Sequence, residues 1–320
     1  MADEKVPDLW YINHSGEYAQ NDSGGYFMQY VFFLIIIGCA LGNNVFKNLF
    51  AHGKTVTDGD NAIYNVIACG IGAPMALIGQ GFSAISGPSL LLSVLFGSSM
   101  AVVAISTIKA LRQGPMSLTL LFGDFSMVIP ILAGFLLWQE SISAGKIAGI
   151  LLMFAAIYFM VYRKGEAAGT KEAMGKWAFW ASVYGLSCGL MSFFEAMQTK
   201  SGRGESAMFL FWGFTTATVV LFVYLVICSR KPETAMTVKL IGPENLNGLL
   251  VGIFGGISHI VTMKLLLLMD SSVLYPLKAG ICIAANALLG RLLFKEKLTK
   301  RQGVGLVLGF AAVMLLTMAK

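Results

Sequence analysis

A duplicated stretch constrains this chain more than any other feature. Residues 270–316 repeat the pattern of residues 114–160 without a gap, at a shift of 156 positions. The aligned identities include Glu140 with Glu296, Gly134 with Gly290 and Gly149 with Gly305. Each copy consists of an apolar helix, a short Glu-x-(Ile/Leu)-(Ser/Thr) connector and a second apolar helix that carries glycine. Two such hairpins, each closing one half of the chain, indicate a duplicated membrane unit.

The composition excludes an ordinary soluble domain. Hydrophobic residues make up 56% of the chain and charged residues only 12%, whereas soluble proteins carry roughly 25% charged residues. So few polar groups could not cover the surface of a soluble protein of this length, and a lipid environment removes that requirement. The five cysteines occur singly, without the spacing of a metal site or a disulfide framework. The excess of Lys and Arg lies in short loops, which suits topology signals better than nucleic-acid binding.

Ten apolar runs are long enough to cross a bilayer core of about 30 Å, which takes about 20 residues per helix. They cover residues 28–49, 61–80, 88–110, 115–138, 144–162, 176–199, 206–228, 246–268, 271–293 and 302–319. The sequence therefore predicts an all-α membrane protein with ten transmembrane helices in two inverted five-helix repeats. The predicted boundaries are a polar flexible tail at 1–27, a first repeat at 28–162, a linker at 163–175 and a second repeat at 176–319.

The odd number of helices per repeat predicts the topology. Five helices force the second copy to enter the membrane in the opposite sense. Inverted repeats of this kind are typical of secondary transporters, whose substrate site lies near the midplane between the halves. Lys and Arg are concentrated on the side of the membrane opposite both termini, so the positive-inside rule predicts that both termini lie outside.

The paired hairpins resemble those of the drug/metabolite transporter superfamily, specifically its EamA-type members. WQESIS at 138–143 with Gly149, and FKEKLT at 294–299 with Gly305, carry the resemblance, and LGNNVFK at 41–47 is similar to the first helix of that family. The resemblance covers residues 28–319. It implies alternating access between two inverted bundles around a central cavity. It also implies that Glu140 and Glu296 are structural marks at helix–helix turns and not substrate ligands.

Charged residues inside predicted helices are candidates for function, because a charge at the bilayer centre costs roughly 2.5–3.5 kcal/mol on insertion scales. Asp124 lies about nine residues into the fourth predicted helix and could couple protons, bind a cationic group or make a structural interhelix bond. Lys278 lies about two turns into the ninth helix and could pair with Asp124, bind an anionic substrate or reach toward the interface. Under the repeat shift these two positions differ by two residues, or about 200° of helix rotation. Strict symmetry therefore predicts that both cannot point squarely at the central axis.

Four further residues are candidates with structural alternatives. His259 could relay protons or be an ordinary buried histidine. Asn43 and Asn44 could offer amides to a substrate or join helices. Glu195 could serve function, or lie within reach of Lys200 or the interface. Lys47, Lys109 and Lys264 lie near helix ends and are predicted to be anchors.

These observations predict a secondary active transporter that moves a small metabolite or drug-like solute by alternating access, coupled to protons, in a bacterial plasma membrane. The alternatives are an organellar nucleotide-sugar or sugar-phosphate exchanger of the same superfamily and a non-transporting membrane scaffold. The exchanger would need paired basic residues facing the cavity, and Lys278 is the one lysine in the first part of its helix. The chain has no P-loop and no HExxH motif, and no GxSxG with catalytic partners, so an enzyme is not predicted. The expected partners are a solute and the lipid bilayer, with no nucleic acid and no cofactor, and a homodimer is left open.

Overall fold

A computed structural model gives the structure of residues 24–53, 56–78, 81–138, 143–161, 171–237, 242–295 and 299–318. Regular structure in these ranges is entirely helical. The helices are α1 (Gly24–Ala51), α2 (Asp58–Ala76), α3 (Gly87–Leu111), α4 (Met116–Phe125), α5 (Val128–Trp138), α6 (Ala144–Val161), α7 (Lys171–Lys200), α8 (Ser206–Ser229), α9 (Pro243–Leu268), α10 (Ser271–Leu293) and α11 (Lys300–Met318). Each of the ten predicted spans coincides with one helix, except that the fourth is divided into α4 and α5.

Seven helical segments in the described ranges are long and apolar enough to cross a membrane, with α4 and α5 counted together as Met116–Trp138. The apolar parts of α6 and α11 are shorter, and α2 carries several polar residues near its start. Large apolar side chains are exposed on the outer surface, including Leu34 at 72%, Leu136 at 71% and Val307 at 68%. Such a surface would be costly in water and is favourable against lipid. The chain is a multi-pass integral membrane protein.

Two helices begin a few residues before the apolar runs that predicted them. Helix α1 begins at Gly24, inside the segment predicted as tail, and α7 begins at Lys171, inside the predicted linker. Lys, Glu, Ala and Met at the start of α7 are good helix formers. Because these residues extend the helix beyond its apolar part, hydropathy alone could not place its start. The rest of the predicted tail and linker lies outside the described residues.

The division of the fourth span has a local cause in Pro130. Proline has no backbone N–H and its ring clashes with the carbonyl four residues earlier, which here belongs to Ser126. The Ser126 carbonyl instead accepts from Ile129 N at 3.0 Å, and the Ser126 hydroxyl donates to the Gly123 carbonyl. The equivalent position in the second copy is Asn286, and α10 continues through it. The repeats therefore differ at the middle of the bilayer.

The contacts between helices are nearly symmetric: most contacts made by a helix of the first half are matched by a contact of its counterpart in the second half. Helix α2 packs against α8 and α6 against α11. The contact of α1 with α9 is matched by that of α3 with α7, and the contact of α2 with α9 by that of α3 with α8. Gly149 and Gly305 are both buried in the α6–α11 pair, as are Gly134 and Gly290 in the preceding helices. Glu140 and Glu296 lie outside the described residues.

Candidate functional site

A cavity of about 220 Å³ lies at the centre of the bundle, between the two halves. Its walls come from α1, α2, α3, α4, α7, α8, α9 and α10, mostly from the middle of each helix. Five of the predicted candidates line it: Asn43, Asn44, Asp124, His259 and Lys278. The fold therefore brings together, in one space, polar residues that are up to 235 positions apart in the sequence.

Asp124 occupies the last turn of α4, next to the break caused by Pro130. Its Oδ2 atom is buried and has no hydrogen-bond partner among the described residues. Lys278 and Asn286 of α10 lie close enough to interact with the carboxylate, although no Lys278–Asp124 ion pair within 4.0 Å is formed there. Broken helices at the membrane midplane are typical of ion and substrate sites in transporters. The arrangement leaves a carboxylate oxygen free for a proton or a ligand.

Two equivalent small residues explain how Asp124 and Lys278 both reach the cavity although the repeat places them at different helix rotations. Gly123 and Ala279 occupy matching positions in the two copies, and both line the cavity. Asp124 follows Gly123 by one residue and Lys278 precedes Ala279 by one, so each is rotated about 100° from the shared line in opposite directions. Neither points squarely at the axis, yet both reach the cavity from its flanks because the residue at the centre is small.

His259 and Glu195 form a buried pair between α9 and α7. His259 Nδ1 lies 3.1 Å from Glu195 Oε1, and the glutamate side chain is 3% exposed. Phe96 and Phe214 contact the imidazole edge to face. The interpretation that placed Glu195 near Lys200 is wrong, because helix rotation directs Glu195 inward and Lys200 instead pairs with Asp270 at 3.4 Å.

The two asparagines of α1 connect helices as well as lining the cavity. Asn43 Nδ2 donates to the Val251 carbonyl of α9 at 3.2 Å, and Asn44 Nδ2 donates to Asn286 Oδ1 of α10 at 3.2 Å. Both bonds cross between the first and second halves of the chain. Movement of the halves would therefore change the orientation of these amides.

Lys47 is the site residue that the sequence interpretation missed. It was predicted to be an anchor, but it lines the cavity and interacts electrostatically with the thiols of Cys69 and Cys188. The signal was its spacing from Asn43 and Asn44, since residues three and four apart share a helix face. By contrast, Lys109 lies away from the cavity, 3.0 Å from Asp58. Lys264 also lies outside, with its ammonium 5.9 Å from the Phe32 ring.

Hydrogen bonds close the bundle at the end where α2 begins. Asp60 is fully buried and accepts from Thr237 N and Thr237 Oγ1, both at 2.7 Å, and from Thr57 N at 2.9 Å. Thr57 Oγ1 donates to the Ala235 carbonyl at 2.8 Å, and Gly59 N donates to the Thr234 carbonyl at 2.8 Å. These bonds join the first half of the chain to the connection between α8 and α9.

A smaller set of bonds joins the halves at the opposite end, where α3 and α8 begin. Glu205 accepts from Ser86 Oγ at 2.8 Å and from Ser86 N at 3.1 Å. Hydrogen bonding to Ser89 and Ser86 lowers the pKa of the Glu205 carboxyl below its ordinary value. The central cavity is thus flanked by a cross-half contact at each end.

Comparison with known proteins identifies the family of the second half. Residues 175–318 match the model of the EamA-like transporter family. This part of the chain is an EamA-like transporter domain. Its five helices supply Glu195, His259 and Lys278, while Asp124 and Lys47 come from the first half of the chain. The match places this domain in the drug/metabolite transporter superfamily, which the paired hairpins resemble.

Similar proteins support the fold but do not indicate a substrate. A Haemophilus influenzae protein named only as uncharacterized is 26% identical over 197 residues, which are 60% of this chain. The aligned part spans 62% of that relative, less than two thirds of its length. A solved structure, described only as the crystal structure of a protein, has a TM-score of 0.63 at 16% identity. The match covers 91% of this chain and 97% of the other, so the two share an overall fold.

Proposed function

We propose that this EamA-like protein is a secondary active transporter for a small metabolite or drug-like solute, coupled to protons, in a bacterial inner membrane. The observation that carries the proposal is the central cavity, which both halves of the chain line and which holds ionisable side chains. Its volume of about 220 Å³ lies below the roughly 300–1,000 Å³ of drug-sized sites, which favours a small metabolite.

The mechanism is a reciprocal rocking of residues 28–162 against 176–319. The nearly symmetric packing of the helices supports an inverted relation between these halves, because exchanging them leaves most helix pairs in place. Opening toward one side separates the contacts of Asp60 with residues 234–237. Opening toward the other side separates Ser86 from Glu205. One midplane cavity then faces each side in turn.

Asp124 is the proposed proton carrier. Asp124 lines the cavity and has a buried carboxylate oxygen without a hydrogen-bond partner among the described residues, and its position beside a helix break lets local rearrangement change its surroundings. The His259–Glu195 pair, whose Nδ1 and Oε1 atoms lie 3.1 Å apart, is a second group that can hold a proton between its two side chains. Proton binding to Asp124 in one state and release in the other would couple the gradient to solute movement.

The test is solute flux into proteoliposomes under an imposed pH gradient, with a metabolite mixture analysed by mass spectrometry. We expect one or a few solutes to move, to reverse direction when the gradient is inverted and to lose gradient dependence in Asp124→Asn. Asp58→Asn is the matched control, because it removes a carboxylate outside the cavity. Unchanged proton dependence in Asp124→Asn would remove Asp124 from the mechanism.

The same experiment separates the alternatives. Solute exchange that ignores the gradient would favour an exchanger, for which the presence of both Lys47 and Lys278 in the cavity is the supporting observation. Absence of movement for every solute by well-inserted protein would favour a non-transporting scaffold.

A further inference from the structure

The charges inside the cavity do not cancel. Lys47 and Lys278 contribute two ammonium groups from α1 and α10, and Asp124 contributes one carboxylate. Glu195, the partner of His259, is not part of the wall, and the remaining titratable groups in the wall are tyrosines and cysteines. With Asp124 ionised, one positive charge is left without a counter-charge in the lining.

Lys47 is the cation without a partner. It is partly buried, and it makes no hydrogen bond or ion pair with any residue in the described part of the chain. The groups with which it interacts are the thiols of Cys69 and Cys188, which are neutral and weak acceptors. A buried ammonium in such surroundings is costly unless something pairs with it.

The ammonium group of Lys278 has only a distant counter-charge. Its interaction is with Asp124, at a separation beyond the 4.0 Å of an ion pair. Lys47, Lys278 and Asp124 line the cavity together with Cys188 and act electrostatically on its thiol. A ligand group next to Cys188 would therefore be attracted by two ammonium groups that come from different halves of the chain.

We propose that the cavity binds a small organic anion, a carboxylate or phosphate ester, whose negative group is held between Lys47 and Lys278. The inference rests on the proposed function and names the class of solute that it would carry. One negative charge makes the cavity neutral, whereas a cation would add to an existing positive charge. The volume of about 220 Å³ favours solutes smaller than a nucleotide sugar, even though paired lysines would suit the phosphates of such a solute.

Proton and anion binding would reinforce each other. Asp124 competes with the ligand for Lys278, so a proton on Asp124 frees that ammonium for the anion. The other titratable groups that face Asp124 are Tyr184 and Cys188 of α7 and Cys282 of α10. None of these is an acid stronger than a thiol, so Asp124 sets the coupling. Because protonation of Asp124 favours anion binding, the proton and the anion would cross the membrane in the same direction.

The test measures protection of Cys188 from alkylation by N-ethylmaleimide in full-length protein whose four other cysteines are alanine. The probes share one skeleton and differ in charge: benzoate, phenyl phosphate, benzamide and benzylammonium. We expect benzoate, phenyl phosphate or both to protect, and the amide and the ammonium not to. Protection by one anion alone identifies its chemistry as carboxylate or phosphate.

Lysine variants locate the anion. Lys47→Met and Lys278→Met should each raise the half-protecting concentration about ten- to 150-fold, the range for losing one hydrogen bond to a charged group. Lys47→Arg should keep protection within a few fold, which separates loss of charge from loss of folding. Lys109→Met, a lysine outside the cavity, is the control and should change nothing. Lowering the pH should strengthen protection, and Asp124→Asn should remove that dependence.

Equal protection by benzamide, no protection by either anion, or unchanged protection in Lys47→Met overturns the proposal. Flux in the same proteoliposomes distinguishes this failure from that of the transporter assignment. Gradient-driven movement of solutes without anion protection rejects the anion class alone. Anion protection without any movement rejects transport and leaves the binding site.

Discussion

Replacing Asp60 by Asn tests whether the hydrogen bonds where α2 begins hold one end of the protein closed. Oδ1 accepts from Thr237 N, and Oδ2 accepts from Thr57 N and Thr237 Oγ1. An amide has one acceptor oxygen, so at least one backbone N–H loses its acceptor and faces an NH₂ group. A hydrogen bond to a charged group contributes about 1.5–3 kcal/mol. The opening equilibrium at this end should therefore shift about ten- to 150-fold.

The assay is labelling of Cys188 by a membrane-impermeant maleimide, added separately to each side of sealed vesicles. Asp60→Asn should speed labelling from the side where α2 begins and slow it from the opposite side, because the two open states exclude each other. Unfolding would instead speed labelling from both sides, which separates destabilisation from gating.

Asp58→Asn is the matched control, since it removes the same charge from the same turn. Asp58 pairs with Lys109 at 3.0 Å, and both side chains are partly exposed, at 29% and 17% respectively. Exposed pairs contribute about 0–1 kcal/mol, so labelling should change less than about fivefold. Equal effects of the two variants, or faster labelling only from the side opposite the start of α2, would refute the conclusion that Asp60 holds this end closed.

Two further predictions concern helix packing and pH. Gly97→Ala should lower the thermal unfolding midpoint in detergent, because its Cβ would overlap the Gly213 carbonyl oxygen at the α3–α8 contact and overpacking costs about 1–3 kcal/mol. The control is Gly38→Ala, whose Cβ meets nothing within 4 Å and which should be neutral or stabilising. Equal midpoints for the two variants would contradict the packing account. The bonds of Glu205 to Ser86 hold its folded pKa below the ordinary value, so their stabilisation is present above that value and is lost as the pH falls through the folded pKa. Because the maleimide reacts with the thiolate, labelling slows with falling pH in every variant, so the quantity compared is Cys188 labelling from that end relative to Glu205→Gln at the same pH. This ratio should rise toward one in the acidic range, and a change confined to neutral pH would contradict this.

Hydropathy and the duplicated hairpin determined most of the fold from the sequence. The ten apolar runs each correspond to a helical segment, and seven described segments are long and apolar enough to cross a membrane, because a bilayer demands about 20 apolar residues per helix and leaves backbone groups no alternative to internal bonding. The sequence interpretation treated residues 115–138 as one helix, whereas the structure breaks this span beside Pro130, where the second copy has Asn286. Helix ends were less certain, as at Lys171, because polar helical turns outside the lipid carry no hydropathy signal.

Tertiary structure decided the site. The sequence singled out Asp124 and Lys278 because buried charge is costly, but it could not place them in one cavity, since that depends on helix rotation and on the small residues Gly123 and Ala279. It left Glu195 as either a functional residue or one within reach of Lys200 or the interface, and it treated Lys47 as an anchor. Distance from a helix end does not reveal which side chain faces inward. That choice is made by packing between the two halves, where residues far apart in the chain meet.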